Sequence, residues 1–265
     1  MTRDNRWADY IAGLRNEEIR LIKNYLNGKV FQRGLEVGAG NGFQNRLLTE
    51  FVNDLTCTEF NELRLVKSNN EKIKYMICDA EIIDSYFQDS SFDFIFSAHM
   101  MEHLPNPENA IRGTYNLLDD EGISIHIIPS SFNAFLRILL WYPNLVISLA
   151  RKYLFSGNYF RQENDITGKD NNLKTKRSYN RSKIRKHIIP RPHGVSKNVF
   201  VELFAFSRKR WIREFEKGNF LVLKIIKGPV HSGYGIGFCY LRDLLYSLGL
   251  TGEYIYIMKK NDSKN

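Results

Sequence analysis

The chain has 265 residues, of which 43% are hydrophobic, enough for one large or two small globular domains with a substantial core. Residues 1–6 have no apolar run behind them, so no secretory signal is expected. The three cysteines (Cys57, Cys78, Cys239) are too scattered for a metal site and read as reduced thiols of a cytoplasmic protein. The net charge of +9 is concentrated: Arg151 to Lys197 holds thirteen Lys and Arg against three Asp and Glu, which leaves the remainder close to neutral. Such asymmetry suits either contact with something anionic (a membrane surface, a phosphorylated substrate, a nucleic acid) or a solvated loop.

Arg6 to Leu26 carries apolar residues at helical spacing and ends at Asn27-Gly28, so residues 1–29 are expected to be a helical cover. A strand (Arg33–Val37), a glycine turn and a helix (Phe43–Phe51) follow. Further strands are expected at Leu55–Thr58, Ile73–Ile77, Phe92–Phe96 and Ile123–Ile128, with helices at Glu62–Ser68 and Glu108–Leu118. Apolar strands alternating with helices indicate an α/β fold: a doubly wound, mostly parallel sheet whose strands all end on one edge. Residues 30–130 form this core.

The pattern breaks at Pro129. Phe135–Ala150 is strongly apolar but shorter than the roughly 20 residues of a membrane span, and Pro143 suggests two short helices with a bend. Ser156 to Arg181 is polar, basic and rich in Asn, and reads as a mobile loop. Residues 131–195 are thus an apolar and basic insertion after the fifth strand. Residues 196–260 return to the core, with Ser196 and Ser207 as helix caps and strands at Phe220–Ile226 and Tyr254–Met258, and residues 261–265 are a tail.

The ligand of such a sheet sits at the C-terminal edge of its strands. Collected there are Gly38, Gly40 and Gly42 after the first strand, Glu59 after the second, Asp79 after the third, and Ser97 to His103 after the fourth. Glu59 lies 17 residues beyond Gly42, an offset that suits a carboxylate holding both ribose hydroxyls. Asp79 can accept from an adenine amine. Glu36, ahead of the turn, suits a cationic ligand better than a pyrophosphate.

Leu-Glu-Val-Gly-Ala-Gly-Asn-Gly at 35–42, Glu59, Cys-Asp-Ala at 78–80 and Phe-Asp-Phe-Ile-Phe-Ser-Ala-His-Met-Met-Glu-His-Leu-Pro-Asn-Pro at 92–107 together resemble class I S-adenosylmethionine-dependent methyltransferases. The likeness leans towards the small-molecule branch that includes ubiquinone-biosynthesis O-methyltransferases. It covers residues 30–130, and more loosely 195 onward. The resemblance implies a Rossmann-like sheet of seven strands, the last antiparallel, with S-adenosyl-L-methionine as methyl donor. Carried over by motif position, Glu36, Gly38, Ala39, Gly40 and Gly42 would surround its methionine part and Glu59 its ribose. Asp79 and Ala80 would flank its adenine, and Ser97 would sit near the sulfonium.

Methyl transfer to oxygen needs a proton acceptor beside the methyl group. His99, Glu102 and His103 follow the fourth strand, and His103 is the preferred base. Their spacing also resembles the Glu-X-X-Glu-His metal site of some quinone O-methyltransferases. His99 stands where that pattern has its first Glu, so no metal is assigned. A third reading makes Glu102-His103 a structural cap of the following Leu-Pro turn. His193 could line an acceptor pocket, and His126 reads as a core histidine. The function read is O-methylation of a small-molecule, sugar or lipid-linked acceptor, with residues 135–197 touching an anionic membrane from the cytoplasmic side. The alternatives are a degenerate methyltransferase fold serving as a membrane or partner adaptor, and an RNA methyltransferase, although no nucleic-acid module accompanies the basic run.

Overall fold

The computed structural model describes residues 3–87, 91–155, 195–231 and 239–261. The expected basic loop at 156–181, His187, the turn with His193 and most of the glycine loop at 231–237 lie outside them. In order, the elements are α1 (Arg3–Leu26), β1 (Phe31–Val37), α2 (Phe43–Leu48), β2 (Val52–Glu59), β3 (Ile73–Ile77), β4 (Phe92–Ala98), α3 (Pro107–Leu117) and β5 (Leu118–Pro129). Then come α4 (Ser131–Phe155), α5 (Val199–Ala205), α6 (Arg208–Lys217), β6 (Phe220–Lys227), α7 (Cys239–Ser247) and β7 (Glu253–Lys260). Short 3-10 turns occupy Glu62–Arg64, Ala80–Tyr86 and Met101–His103.

Seven strands form one sheet in the order β3-β2-β1-β4-β5-β7-β6. β1 to β5 pair in parallel, and β7 runs antiparallel to both neighbours, as the resemblance implied. The period-2 alternation of the strands divides the core into two layers. In β7, Ile255 and Ile257 face the layer under α1 and α2, together with Phe94 and Phe96. Tyr256 and Met258 face the layer under α3 and α6, with Leu35, Ile95, Trp211 and Phe215.

Several elements differ from expectation. The helix expected at Glu62–Ser68 is one 3-10 turn. Leu63 and Val66 are exposed there, so no apolar face is buried to support a helix. α2 stops at Leu48 because the chain must turn at once into β2, with Phe51 N donating to Leu48 O. The two helices expected around Pro143 are one, α4. Pro143 is exposed, as is Leu139, so the carbonyl its missing N–H would serve opens to solvent. The cap of α5 is Asn198 rather than Ser196, its Oδ1 accepting from Phe200 N and Val201 N. Ser207 caps α6 as expected.

Phe94 is fully buried, with the rings of Phe31 and Phe51 at 4.8 and 5.6 Å from its own. Phe94→Ala is expected to lower stability by about 3–5 kcal/mol, read from the midpoint of urea unfolding.

Candidate active site

The glycine turn is anchored to the neighbouring strand. The N–H groups of Gly38 and Ala39 both donate to the Thr58 carbonyl, at 2.9 and 2.8 Å. Gly38 has φ 79° and Gly40 φ 53°, in the left-handed region that favours glycine. A Cβ on Gly38 would come within 2.6 Å of Met100 Cγ, so Met100 covers that end of the turn. A Cβ on Gly40 would meet nothing within 4 Å. The turn is therefore an open cradle above Gly40.

The carboxylates expected at the strand ends are there. Glu59 Oε2 accepts from Gly40 N at 3.0 Å, and Oε1 from Asn61 N at 3.1 Å. Asp79 is half-buried and caps the turn that starts at Ala80, accepting from Glu81 N at 3.0 Å. Glu36 departs from expectation. It is buried under the turn against Cys57 Sγ, and burial pushes its carboxyl up to about 8, so it is neutral at pH 7. Ser97 departs too: its hydroxyl turns inward onto His126 Nδ1 at 2.7 Å, and only its backbone lies at the edge. His126 is a core residue as expected, held between Ser97 and Ser124, with burial pushing its pKa down to about 3.

His99, the next residue after β4, sits in a cluster that the sequence does not announce. Its φ is 52°. Nε2 lies 3.1 Å from Glu253 Oε2 and 3.4 Å from Glu18 Oε1, and Nδ1 lies 4.0 Å from Glu102 Oε1. His231 Nε2 meets the same Glu253 oxygen at 3.1 Å. Around them, Arg15 and Gln44 donate to the two oxygens of Glu18, and Asn133 Nδ2 donates to the His231 carbonyl. Glu18 and Glu253 are fully buried. Each is a charged residue at an apolar-face position, which is the signal that could have found them. Glu18 is in helical register with Leu14 and Ile22, and Glu253 shares a strand face with Ile255 and Ile257.

Burial and Arg15 push the His99 pKa down, but hydrogen bonds to Glu18 and Glu253 outweigh them and hold it at about 9. At neutral pH His99 is an imidazolium with no vacant nitrogen, so its candidacy as a base is corrected. Burial pushes the Glu253 carboxyl up, yet its bonds from His231 and His99 bring it well below the usual range. Burial and the Glu253 charge raise Glu18.

His103 is different. Its side chain is 41% exposed, and burial of the rest, with the His99 charge, lowers its pKa, which leaves a neutral imidazole. Nε2 lies 3.8 Å from Glu102 Oε1. Glu102 is buried with neither oxygen hydrogen-bonded, and burial pushes it up to about 7. Glu102 also lines a cavity of about 350 Å³ with Met101, Leu104, Phe206, Trp211 and Arg210. The cavity contains no glycine-turn residue.

Residues 35–126 match a protein family described as Methyltransferase domain. A stretch of 116 residues is 29% identical to Phosphoethanolamine N-methyltransferase 2 of Caenorhabditis elegans; it covers 40% of this chain and 26% of that protein. The chain thus matches about a quarter of the length of that curated relative. Among solved structures, the N-methyltransferase NodS of Bradyrhizobium japonicum superposes with a TM-score of 0.52 at 11% identity, over 94% of this chain and 87% of that one. A S-adenosylmethionine-dependent methyltransferase of Thermotoga maritima superposes with a TM-score of 0.53 at 17% identity, over 97% and 94%. These structural likenesses show the fold.

The His99 cluster carries a pH signature. A pKa held at about 9 from an ordinary 6.5 gives stability that is fully present below pH 6.5 and lost as pH rises through 9, on the order of 3 kcal/mol. His99→Gln is expected to show a shallower loss than the wild type across that window, measured by denaturant unfolding at both ends.

Proposed function

We propose that this chain, which carries a methyltransferase domain of the class I fold, transfers a methyl group from S-adenosylmethionine to a hydroxyl oxygen of a small-molecule, sugar or lipid-linked acceptor. The reading rests on one juxtaposition. The open glycine cradle, Glu59 and Asp79 share a sheet edge with a neutral imidazole, His103, and its carboxylate neighbour.

The donor set fits S-adenosylmethionine, because the space over Gly40 is open and two carboxylates follow at the next strand ends. Gly38, Ala39, Gly40 and Gly42 would hold the methionine part, Glu59 the ribose hydroxyls, and Asp79 with Ala80 the adenine. The backbone of Ser97 would border the sulfonium side. Glu36 would act from beneath, since a positive charge brought near a carboxyl of pKa about 8 draws its proton off. When bound, the sulfonium supplies an electrophilic methyl group.

His103 accepts the proton of the acceptor hydroxyl. Glu102, 3.8 Å away, would stabilise the imidazolium that forms by its charge. Met100, laid over Gly38, narrows the site and helps to exclude water. The cavity behind Glu102 suits an apolar part of the acceptor.

A second reading, transfer to an amine nitrogen, draws on the stretch shared with the phosphoethanolamine enzyme and on the buried carboxylates Glu18, Glu102 and Glu253, which could hold an ammonium group.

A lipid-linked acceptor is supported by the exposed apolar faces of α4 and α5. Phe135, Leu139, Tyr142 and Val146 lie along one face of α4, and Phe200 and Phe204 along α5, all about half exposed or more. Among the described residues no helix is long and apolar enough to cross a membrane. An apolar face next to a strongly basic segment suits the surface of an anionic bilayer.

Calorimetry is expected to show binding of S-adenosylmethionine, weakened about tenfold or more by Asp79→Ala. Absence of heat with the donor and with S-adenosylhomocysteine, together with liposome binding that needs residues 131–197, would favour the adaptor reading. His103→Gln is expected to lower kcat by about 10²–10⁴ with donor affinity unchanged. A ¹³C-labelled methyl donor and NMR of the product separate O-methyl from N-methyl. Flotation with phosphatidylglycerol vesicles is expected to retain the wild type and to lose Phe200→Ser/Phe204→Ser.

A further inference from the structure

The geometry points to a divalent transition-metal site formed by Glu18, His99 and Glu253. It is independent of the sequence pattern at 99, 102 and 103. Its ligands come from three places in the fold: α1, the turn after β4 and the start of β7.

One ligand atom from each of Glu18, His99 and Glu253 lies within 4.8 Å of the others. The closest pairs are 3.1 Å (His99 Nε2 to Glu253 Oε2) and 3.4 Å (His99 Nε2 to Glu18 Oε1), and His231 Nε2 lies 3.1 Å from Glu253 Oε2. Nitrogen and oxygen ligands about 2.1 Å from a tetrahedral centre are about 3.4 Å apart. An ion here would take the place of the proton that His99 Nε2 holds in the ion-free cluster, with small outward movements of the ligands.

The surroundings resemble an outer shell already in place. His99 turns Nε2 to the cluster and Nδ1 towards Glu102 Oε1, which lies 4.0 Å away, beyond hydrogen-bond distance. Both Glu102 oxygens are buried without a hydrogen-bond partner, and so is Glu253 Oε1. Buried carboxyl oxygens left in that state are costly, and a divalent cation beside them offsets the cost. Arg15 donates to Glu18 Oε1, the oxygen that faces His99, and Gln44 donates to Oε2, so both fix the Glu18 carboxylate.

One imidazole and two carboxylates favour Zn²⁺, Mn²⁺ or Co²⁺ over the all-oxygen preference of Ca²⁺ and Mg²⁺. Gln44 follows the glycine turn and Met100 covers it, so an ion here would border the methyl-transfer site.

The test uses the full-length chain, stripped with EDTA and then given Zn²⁺, Mn²⁺ or Co²⁺ alone. About one ion per chain is expected after gel filtration, read by elemental mass spectrometry, with visible d–d bands for Co²⁺. Glu253→Gln and Glu18→Gln are expected to weaken binding beyond the roughly 10- to 100-fold of an outer-shell loss, whereas His103→Gln keeps it. A wild-type chain that holds no ion, or variants that hold it as well as the wild type, overturn the site. Should those variants fail to fold, X-ray absorption of the wild-type Co²⁺ form decides: imidazole scattering is expected, and its absence overturns the assignment. None of these readouts needs methyl transfer, so the metal site and the methyltransferase reading stand or fall separately.

Discussion

Val37 lies opposite Thr58 on one side and Ser97 on the other, so β1 ends level with both neighbours. From that alignment the Thr58 carbonyl can take two N–H groups of the glycine turn at once. The turn is thereby fixed to β2, Glu59 falls directly beside it, and its Oε2 closes onto Gly40. On the other side the chain leaves β4 through His99 and Met100, which brings Met100 over Gly38. A shift of one residue in either pairing would send these side chains to the opposite face of the sheet. Cradle, carboxylates and imidazoles share one edge because the three central strands are in step.

The buried charges at that edge answer to one another. Glu18, Glu102 and Glu253 are removed from water around one imidazolium, with His231 and Arg15 at the margin. The result is an uneven sharing of charge: Glu253 ionised, Glu18 and Glu102 shifted towards neutral, His99 positive. Burial, with the His99 charge, leaves His103 neutral two residues beyond Met101, so one turn of chain holds an imidazolium and a neutral imidazole. The cluster also ties α1 to β7, elements at opposite ends of the sequence, and so closes the cover over the site.

α4 and α5 are joined to each other by a few polar contacts. Arg137 of α4 meets the buried Glu202 of α5 at 2.6 Å, and Ser131 donates to the Leu203 carbonyl. These contacts hold α4 against α5 while a row of apolar side chains on each stays exposed. The cavity behind Glu102 lies between α5 and the turn after β4, so these two elements share a wall.

Local chemistry was legible from the sequence alone. Strand alternation, three closely spaced glycines and carboxylates at strand ends depend on short stretches whose periodicity survives in one dimension. They determined the α/β class, the core strands, the glycine turn, Glu59, Asp79 and the segment around His103. Contacts between distant parts of the chain were decided only by the tertiary structure. Glu18 and Glu253 stand on apolar faces of a helix and a strand, which hints at burial, but only the fold brings them within reach of His99. The same holds for the charge states. Glu36 is a carboxylate in the sequence and a neutral acid under the turn, and His99 is a candidate base in the sequence and an imidazolium between two buried acids. Protonation follows solvation and neighbours, and both are set by packing.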